Sequence, residues 1–318
     1  MPRMSKRVHV VSHGPHCLDG VTAAAAVARY YEGRARVVPH FASNSEIDDV
    51  LRALALDDPN DAELWITDIS WRRPETDAHL RALVERGVAL YWIDHHRTAL
   101  KRHEAGEVNV QFTDMVLSER YAASRLVYEY LRERAATESD VPPRFADFGP
   151  VVAMADDNDR WLHEIDGSRE LAWVVRALGP DSFEDIAQLG PEITYSTRMA
   201  AARDRVGDEI ARSMRIAEAS RVERTIGDVT LVVALCDGHP SEIGDAWGKA
   251  SARTVFALYD ASSLSVSLRR SPDCDVDLSR LASALGGGGH AAAAGCELPE
   301  LRTSFAELVA RRVGEQLG

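Results

Sequence analysis

The sequence predicts an α/β protein in which an N-terminal parallel-sheet domain is joined by a long helix to a smaller C-terminal α/β domain. Short apolar strands alternate with amphipathic helices through the first hundred residues, which is typical of βαβ units around a buried parallel sheet. A long charged stretch with helical periodicity, residues 196–222, then precedes a second set of strands and helices. We predict an N-terminal domain over residues 1–190, a linker helix over 191–225 and a C-terminal domain over 226–318.

The elements of the N-terminal domain follow from apolar runs and helical periodicity. We predict strands for the runs RVHVV, ARVVPH, AELWIT and GVALYWI, in that order. Predicted helices cover residues 19–31, 45–56, 75–86, 118–135, 144–157 and 168–178. Ser45 is the predicted N-cap of the second helix, because a serine hydroxyl can accept from the first free amides.

The C-terminal domain is predicted in the same way. Strands are expected for DVTLVVAL, RTVFALYD and SLSVSLRR, and helices for residues 241–250, 277–285 and 301–316. A run of four glycines, residues 286–289, is predicted as a loop whose backbone amides can approach an anion. The small residues that follow the glycines would permit a closely packed helix start.

Composition excludes several classes of function. The net charge of −13 argues against a broad grip on extended duplex nucleic acid, which needs a basic surface. The absence of an uninterrupted apolar run of membrane length predicts no membrane span. The four cysteines lie far apart without a CxxC pair, which favours a reducing cytoplasm over a disulfide framework; they are Cys17, Cys236, Cys274 and Cys296.

Candidate metal ligands follow the ends of three strands that we predict to be parallel. Because the carboxyl ends of parallel strands meet at one edge of a sheet, these side chains should converge where open α/β folds bind ligands. A single aspartate after a strand, such as Asp68 taken alone, is usually a helix cap. An aspartate beside two histidines, however, costs desolvation free energy unless a cation or partner compensates it. The candidates are His13, Cys17 and Asp19 after the first strand, Asp68 after the third, and Asp94, His95 and His96 after the fourth.

The chain contains, in this order, the motifs SHGPHCLDG, ITDIS, IDHH and MADDNDRW. This set resembles the four motifs of the DHH phosphoesterase family, which includes RecJ-type exonucleases, oligoribonucleases that degrade very short RNAs, cyclic-dinucleotide phosphodiesterases and family II inorganic pyrophosphatases. A later segment, GGGGHAAAAG at residues 286–295, resembles the signature loop of the C-terminal domain in the nucleotide-cleaving branches. The resemblance spans nearly the whole chain.

The resemblance implies a site for two divalent ions, usually manganese. One ion would be held by His13, by the residue four positions further on, which is Cys17, and by Asp68. The other would be held by Asp19, Asp68, His95 and an aspartate of the fourth motif. Asp68 would therefore bridge the two ions.

Two positions of this implied site stay open. The fourth motif offers Asp156, Asp157 and Asp159, and its alignment on Trp161 favours Asp157. Many family members carry aspartate where this chain has Cys17, and the softer thiolate would shift the metal preference from Mn²⁺ toward Zn²⁺, Fe²⁺ or Co²⁺. Alternatively, Cys17 does not bind metal and the first ion is held weakly or through water.

The resemblance also assigns residues to the substrate. His96 would lie near the substrate phosphate, and Asp94 would orient the neighbouring histidines. Arg269, with Arg270 as the alternative, and His290 would contact the substrate backbone or base. The loop glycines that would join them are Gly287, Gly288 and Gly289.

The function that the resemblance implies is hydrolysis of phosphodiester bonds in short single-stranded oligonucleotides by a metal-activated water, as in an oligoribonuclease. Three alternatives stay open: a phosphatase of 3′-phosphoadenosine 5′-phosphate, a cyclic-dinucleotide phosphodiesterase, and a nucleotide-binding protein that has lost catalysis. The expected partner is a short oligonucleotide or a small phosphorylated nucleotide, and a homodimer is compatible with the sequence.

Overall fold

The computed structural model describes residues 6–58 and 61–317. The chain forms two compact units, the first ending at Asp204 and the second beginning at Arg205. This division falls inside a single long helix, residues Thr197–Ser220, where the sequence predicts the linker.

The first unit contains a five-stranded sheet in which every pair of neighbouring strands is parallel. The strand order is β2-β1-β3-β4-β5. The strands are β1 (Arg7–His13), β2 (Arg36–Ala42), β3 (Asp61–Thr67), β4 (Ala89–Asp94) and β5 (Asp114–Leu117). The parallel sheet is as predicted, except that the prediction lacked β5, which is four residues long and has no continuous apolar run.

Eight α-helices of the first unit precede the long helix in the described residues. They are α1 (Leu18–Tyr30), α2 (Ile47–Ala53), α3 (Pro74–Glu85), α4 (Arg97–Glu104), α5 (Ala123–Ala135), α6 (Gly149–Asp159), α7 (Ser168–Leu178) and α8 (Ser182–Gln188). The prediction lacked the short helices α4 and α8. The predicted N-cap at Ser45 is wrong: Glu46 occupies the cap position, and its carboxylate accepts from the amide and hydroxyl of Ser43.

Both faces of this sheet are buried, as expected for a parallel sheet covered by helices. Alternate residues of β3 enter opposite apolar clusters, with Trp65 in one and Leu64 and Ile66 in the other. The first cluster includes residues of α1, α5, α6, α7 and α8, and the second includes residues of α2, α3 and α4. Because helices cover both faces, the polar side chains of these strands can reach a ligand only at the ends of the strands.

The second unit contains a six-stranded mixed sheet in the order β10-β11-β9-β8-β7-β6. Its strands are β6 (Val222–Ile226), β7 (Val229–Cys236), β8 (Thr254–Asp260), β9 (Ser265–Arg270), β10 (Gly288–Gly289) and β11 (Ala293–Cys296). The long helix is α9, and it is followed by α10 (Pro240–Lys249), α11 (Leu278–Ala284) and α12 (Pro299–Leu317). Strand β6 occupies residues that the prediction assigned mostly to the linker.

The described helices include none that is both long and apolar enough to span a membrane.

Candidate metal centre

Strands β1, β3 and β4 are adjacent and parallel, so their carboxyl ends bring His13, Asp68 and Asp94 to the same edge of the first unit. Asp68 follows β3 directly and is 2% exposed. Its backbone is left-handed, with φ of +59°, and its amide donates to Ile93 O at 3.1 Å. A non-glycine residue in this region costs conformational free energy, and such strain concentrates at functional sites.

The two carboxylate oxygens of Asp68 face different groups of potential ligands. Oδ2 lies 3.6 Å from His13 Nδ1 and 3.6 Å from Cys17 Sγ. Oδ1 lies 3.3 Å from His95 Nε2 and 3.8 Å from His96 Nδ1. In each group the donor atoms lie close enough together to hold one ion. Asp68 therefore has the arrangement of a carboxylate that bridges two cations.

A third group of donor atoms surrounds His95. Its Nε2 lies 3.8 Å from Asp19 Oδ2 and 3.6 Å from Asp159 Oδ2. The Asp19 carboxylate is held in place by the first turn of α5, because it accepts from the amides of Ala123 and Ser124, at 2.8 Å each. The sequence predicts Asp19 as a ligand but shows nothing of this attachment, which joins residues about a hundred positions apart.

The fourth motif is where the geometry departs from the prediction, which favoured Asp157. Asp157 Oδ1 accepts from the Glu164 amide at 2.8 Å, and its Oδ2 accepts from Ser168 Oγ at 2.5 Å. Asp156 accepts from the Ala122 amide. Of the three aspartates, Asp159 is the one that lies in a ligand group. Asp159 therefore replaces Asp157 as the proposed ligand, because the Asp159 carboxylate lies within reach of His95 whereas the Asp157 carboxylate is directed to the loop that follows α6.

His96 and Asp94 form a hydrogen-bonded pair beside these groups. Asp94 is fully buried, and its Oδ1 accepts from His96 Nδ1 at 2.8 Å and from the His96 amide at 3.0 Å. The hydrogen bond to Asp94 raises the pKa of His96. The His96 side chain is 45% exposed, against 18% for His95, so it is the more accessible imidazole of the motif.

The electrostatics of the site favour bound cations. Burial and the neighbouring Asp68 charge raise the pKa of Asp19 and of Asp159. Burial opposes ionisation of Asp68 as well, but hydrogen bonds from His13 and His95 hold its pKa below the ordinary value. Three carboxylates that crowd together against imidazoles are stabilised by positive charge, and aspartate with histidine is a donor set that divalent metals accept.

Two further pKa shifts arise from the same close packing of charged groups. Burial would lower the pKa of His95, but the hydrogen bond to Asp68 and the charges of Asp19 and Asp159 raise it to about 9. Burial and the Asp68 charge raise the pKa of the Cys17 thiol. A cation at this position would therefore have to displace a proton from sulfur before Cys17 could bind it.

Gly20 allows helix α1 to approach the site closely. A Cβ at this position would lie 2.0 Å from His13 O and 3.0 Å from Asp68 Oδ2. The helix also accepts a hydrogen bond at this point, from Ser12 Oγ to Gly20 O at 2.7 Å. The glycine is therefore required by the packing of α1 against the ends of β1 and β3, which the sequence pattern did not reveal.

The remaining predicted residues belong to the second unit. Arg269 Nη2 donates to Ser241 Oγ at 2.8 Å, and the side chain packs so closely on Gly244 that a Cβ there would lie 2.6 Å from Arg269 Cγ. Arg270, the alternative, donates to Cys274 O. Burial lowers the pKa of Arg269. The two arginines are thus held by different neighbours within the unit.

The glycine run is part of a β-hairpin, so the predicted helix start behind it is wrong. Strand β10 pairs with β11 in antiparallel fashion, and His290 and Ala293 exchange backbone hydrogen bonds at the turn. Gly287 lies against β11, where a Cβ would be 2.1 Å from Gly295 O, whereas Gly288 has open space. The small residues serve close strand packing, and His290 is exposed at the turn.

Comparisons with known proteins agree with this fold. The chain is 29% identical over 245 residues to oligoribonuclease NrnB of Bacillus subtilis (strain 168); the match covers 74% of this chain and 59% of that relative. The solved structure of the pGpG-specific phosphodiesterase PggH from Vibrio cholerae is similar with a TM-score of 0.57 and 12% identity, over 97% of this chain and 99% of that one.

A third similarity is to the solved DHH domain of a protein described as a member of a family of ribosomal proteins, with a TM-score of 0.62 and 16% identity over 97% of this chain and 86% of that one. No family model matches the chain. The parallel sheet, with groups of candidate ligands at its strand ends, has the fold of the solved DHH domain. The chain resembles the DHH phosphoesterases in its four ordered motifs and in its similarity to the curated oligoribonuclease.

Proposed function

We propose that this protein is a metal-dependent phosphodiesterase that hydrolyses short single-stranded oligonucleotides. The observation that carries the proposal is the bridging arrangement of Asp68, whose two oxygens face separate groups of donor atoms. A carboxylate shared between two cation sites is typical of enzymes that cleave phosphoesters with a pair of metal ions.

The residues that would hold the cations come from the three donor groups. They are His13, Cys17, Asp19, Asp68, His95 and Asp159. When bound, two divalent ions lower the pKa of a water molecule and neutralise charge on the phosphate. Manganese is the proposed metal, with zinc, iron or cobalt as the alternatives that Cys17 would favour.

The protein's own groups support phosphate chemistry beside the cations. Asp94 holds His96 by its Nδ1 and thereby favours the protonated imidazole, since the hydrogen bond raises the pKa of His96. A positioned imidazolium can donate to a phosphate oxygen or to the leaving group. Arg269 and the hairpin with Gly287–Gly289 and His290 are the proposed substrate contacts of the second unit.

The choice of substrate class is supported by the relatives. One is named as an oligoribonuclease and another as a pGpG-specific phosphodiesterase, and both act on short nucleotides by those names. The chain spans 59% of the curated relative's length, so the activity is a proposal for this chain. A net charge of −13 also suits a short substrate held locally better than a long polyanion.

The test is hydrolysis of end-labelled RNAs of two to five nucleotides by the purified protein with Mn²⁺. We expect mononucleotide products, loss of activity on chelation and its return with Mn²⁺. Asp68→Ala should reduce turnover at least about a hundredfold, because metal ions supply several kcal/mol of transition-state stabilisation. Asp140→Ala, at a carboxylate with 71% exposure in the same unit, is the matched control and should leave turnover unchanged.

The same assay separates the alternatives. Preferential release of phosphate from 3′-phosphoadenosine 5′-phosphate would replace the oligonucleotide assignment by a phosphatase, and preferential opening of cyclic dinucleotides would replace it by a cyclic phosphodiesterase. Binding without turnover of any phosphoester, with Mn²⁺, Co²⁺ or Zn²⁺, would leave only a nucleotide-binding role. Cytoplasmic location and homodimerisation stay predictions of the sequence.

A further inference from the structure

Trp161 is an exposed tryptophan in a chain that buries its other indole rings to a greater extent. Its exposed fraction is 52%, whereas Trp65, Trp71 and Trp92 are fully buried and Trp247 is 6% exposed. Two further apolar side chains of the same loop are also exposed, Leu162 at 44% and Ile165 at 38%. Single exposed apolar residues are common, but a group on one loop that includes tryptophan indicates a binding surface.

This loop, residues 160–167, directly follows a proposed metal ligand. Trp161 stands two residues after Asp159, whose carboxylate lies 3.6 Å from His95 Nε2. Two residues of chain span at most about 7 Å, so the backbone of Trp161 lies beside the metal centre. Both residues belong to the first unit.

The loop is held in a defined conformation. Asp157 anchors it, because the carboxylate accepts from the Glu164 amide and from Ser168 Oγ. The backbone is left-handed at Trp161, with φ of +58°, and at His163, with φ of +54°. Such conformations cost free energy at non-glycine residues and persist where the surrounding contacts enforce them. The indole is therefore presented from a fixed position.

The surroundings of the indole suit a nucleotide. The guanidinium carbon of Arg169 lies 5.7 Å from the centroid of the Trp161 ring, and the His163 ring centroid lies 4.4 Å from it, tilted by 57°. More than half of the side chain still faces solvent. An exposed aromatic ring beside a guanidinium is a combination on which proteins stack the bases of single-stranded nucleic acids.

We propose that Trp161 stacks on a nucleobase of the substrate, next to the phosphate that is bound at the metal centre. This inference rests on the proposed function and deepens it: Trp161 selects nucleotides over phosphodiesters without a base. Since every base has a π-face, stacking contributes affinity with little sequence preference. Trp161 is a binding residue in this scheme and takes no part in bond cleavage.

The test compares the dinucleotide pApA with an analogue that has an abasic ribose in place of one nucleoside, both with Mn²⁺. Trp161→Leu should raise the KM for pApA by roughly tenfold, the effect typical of one stacked base. Trp161→Phe, which keeps an aromatic face, should recover most of the loss. Neither variant should change the KM of the analogue that lacks the stacked base, because no ring is present to stack on.

Two measurements control for folding and for effects that do not involve the indole. Asp140→Ala, at an exposed carboxylate of the same unit, should leave both KM values unchanged. The thermal midpoints of all variants should match the wild type, because the indole is largely exposed. An equal rise in the KM for pApA and in the KM for the abasic analogue would overturn the inference. It would indicate that Trp161 only shapes the metal centre.

A binding measurement separates this inference from the proposed function. Stacking should quench tryptophan fluorescence when AMP is added to the Mn²⁺-loaded wild type, and the quenching should be absent in Trp161→Leu. If neither pApA nor its analogue is hydrolysed, the proposed activity fails, and the quenching alone decides whether Trp161 binds a base. Equal quenching in the wild type and in Trp161→Leu would contradict stacking whatever the activity.

Discussion

The carboxylate of Asp68 organises the candidate metal centre at the scale of single residues. Both of its oxygens face potential ligands, and the left-handed backbone fixes the direction in which they point. Neighbouring carboxylates differ in what already holds them. Asp157 accepts hydrogen bonds from the following loop, whereas Asp159 is directed toward His95. The direction of each carboxylate therefore favours Asp159 over Asp157 as the proposed ligand.

The first prediction distinguishes these two aspartates. Asp159→Asn should weaken Mn²⁺ binding and lower turnover at least about tenfold, because it removes a charged donor from the site. Asp157→Asn should keep the metal content and lower the thermal midpoint, since one buried hydrogen bond to the loop is lost. Metal analysis and calorimetry on both variants check this. Metal loss in Asp157→Asn with none in Asp159→Asn would restore the original assignment.

The second prediction concerns Cys17, where the sequence departs from the family pattern. The buried thiol has a raised pKa, so a bound cation must compete with a proton. Cys17→Asp should increase the affinity for Mn²⁺ relative to Zn²⁺, because a carboxylate is the harder ligand. Competition titrations that follow the two metals measure the ratio. Unchanged metal content and preference in Cys17→Ala would show that the sulfur is not a ligand.

At the scale of elements, the site depends on the contact between helix α1 and the ends of β1 and β3. Gly20 is the point of closest approach, and the Ser12 hydroxyl joins the same three elements by donating to Gly20 O and accepting from Thr67 Oγ1. A displacement of the helix would carry Asp19 and Cys17 away from Asp68. The positions of the candidate ligands relative to one another therefore depend on this packing.

The third prediction tests that packing. Gly20→Ala should destabilise the protein by about 1–3 kcal/mol, the usual cost of forcing a methyl group into a filled space, and should also weaken metal binding. Gly207→Ala in α9, where a Cβ meets no atom within 4 Å, is the control and should be neutral or stabilising. Urea unfolding and Mn²⁺ titration give the two quantities. Full metal affinity in a folded Gly20→Ala protein would contradict this account of the helix.

At the scale of the whole molecule, the proposed metal ligands and the proposed substrate contacts of the glycine hairpin belong to different units. The candidate ligands all lie in the first unit, whereas the arginines and the glycine hairpin lie in the second. The proposed function therefore divides metal binding from part of substrate binding along the chain. We therefore expect that one substitution can change metal binding without changing substrate affinity, and that another can do the reverse.

The fourth prediction tests this division with neighbouring arginines. Arg269→Ala should raise the KM for a dinucleotide by roughly ten- to a hundredfold, the effect of losing a charged hydrogen bond, and should leave bound metal unchanged. Arg270→Ala is the matched control and should have the smaller effect on KM. Kinetics and metal analysis of the same preparations check both. A greater loss in Arg270→Ala would reassign the substrate contact to that residue.

Much of the fold could be predicted because its signals are local. The apolar runs of β1 to β4 and the periodicity of α9 identify these elements without reference to distant residues. The elements of the first unit that the prediction lacked, β5, α4 and α8, are short and carry weak patterns. The prediction for the glycine segment was wrong for a different reason. Its small residues suit a tight turn of any kind, and pairing with β9 and β10 decides that β11 is a strand.

The sequence by itself determined the α/β class, the order of the motifs and the convergence of His13, Asp68 and His95 at one sheet edge. These follow from strand order along the chain and from the parallel geometry, in which carboxyl ends must meet. Only the tertiary structure decided that Asp159 faces His95 while Asp157 holds the loop. It also decided that Gly20 allows α1 to pack closely against the ends of β1 and β3. Those choices depend on contacts between different elements. The loop after α6 supplies the donors to Asp157, and β1 and β3 supply the atoms that Gly20 approaches, so no pattern within one element encodes them.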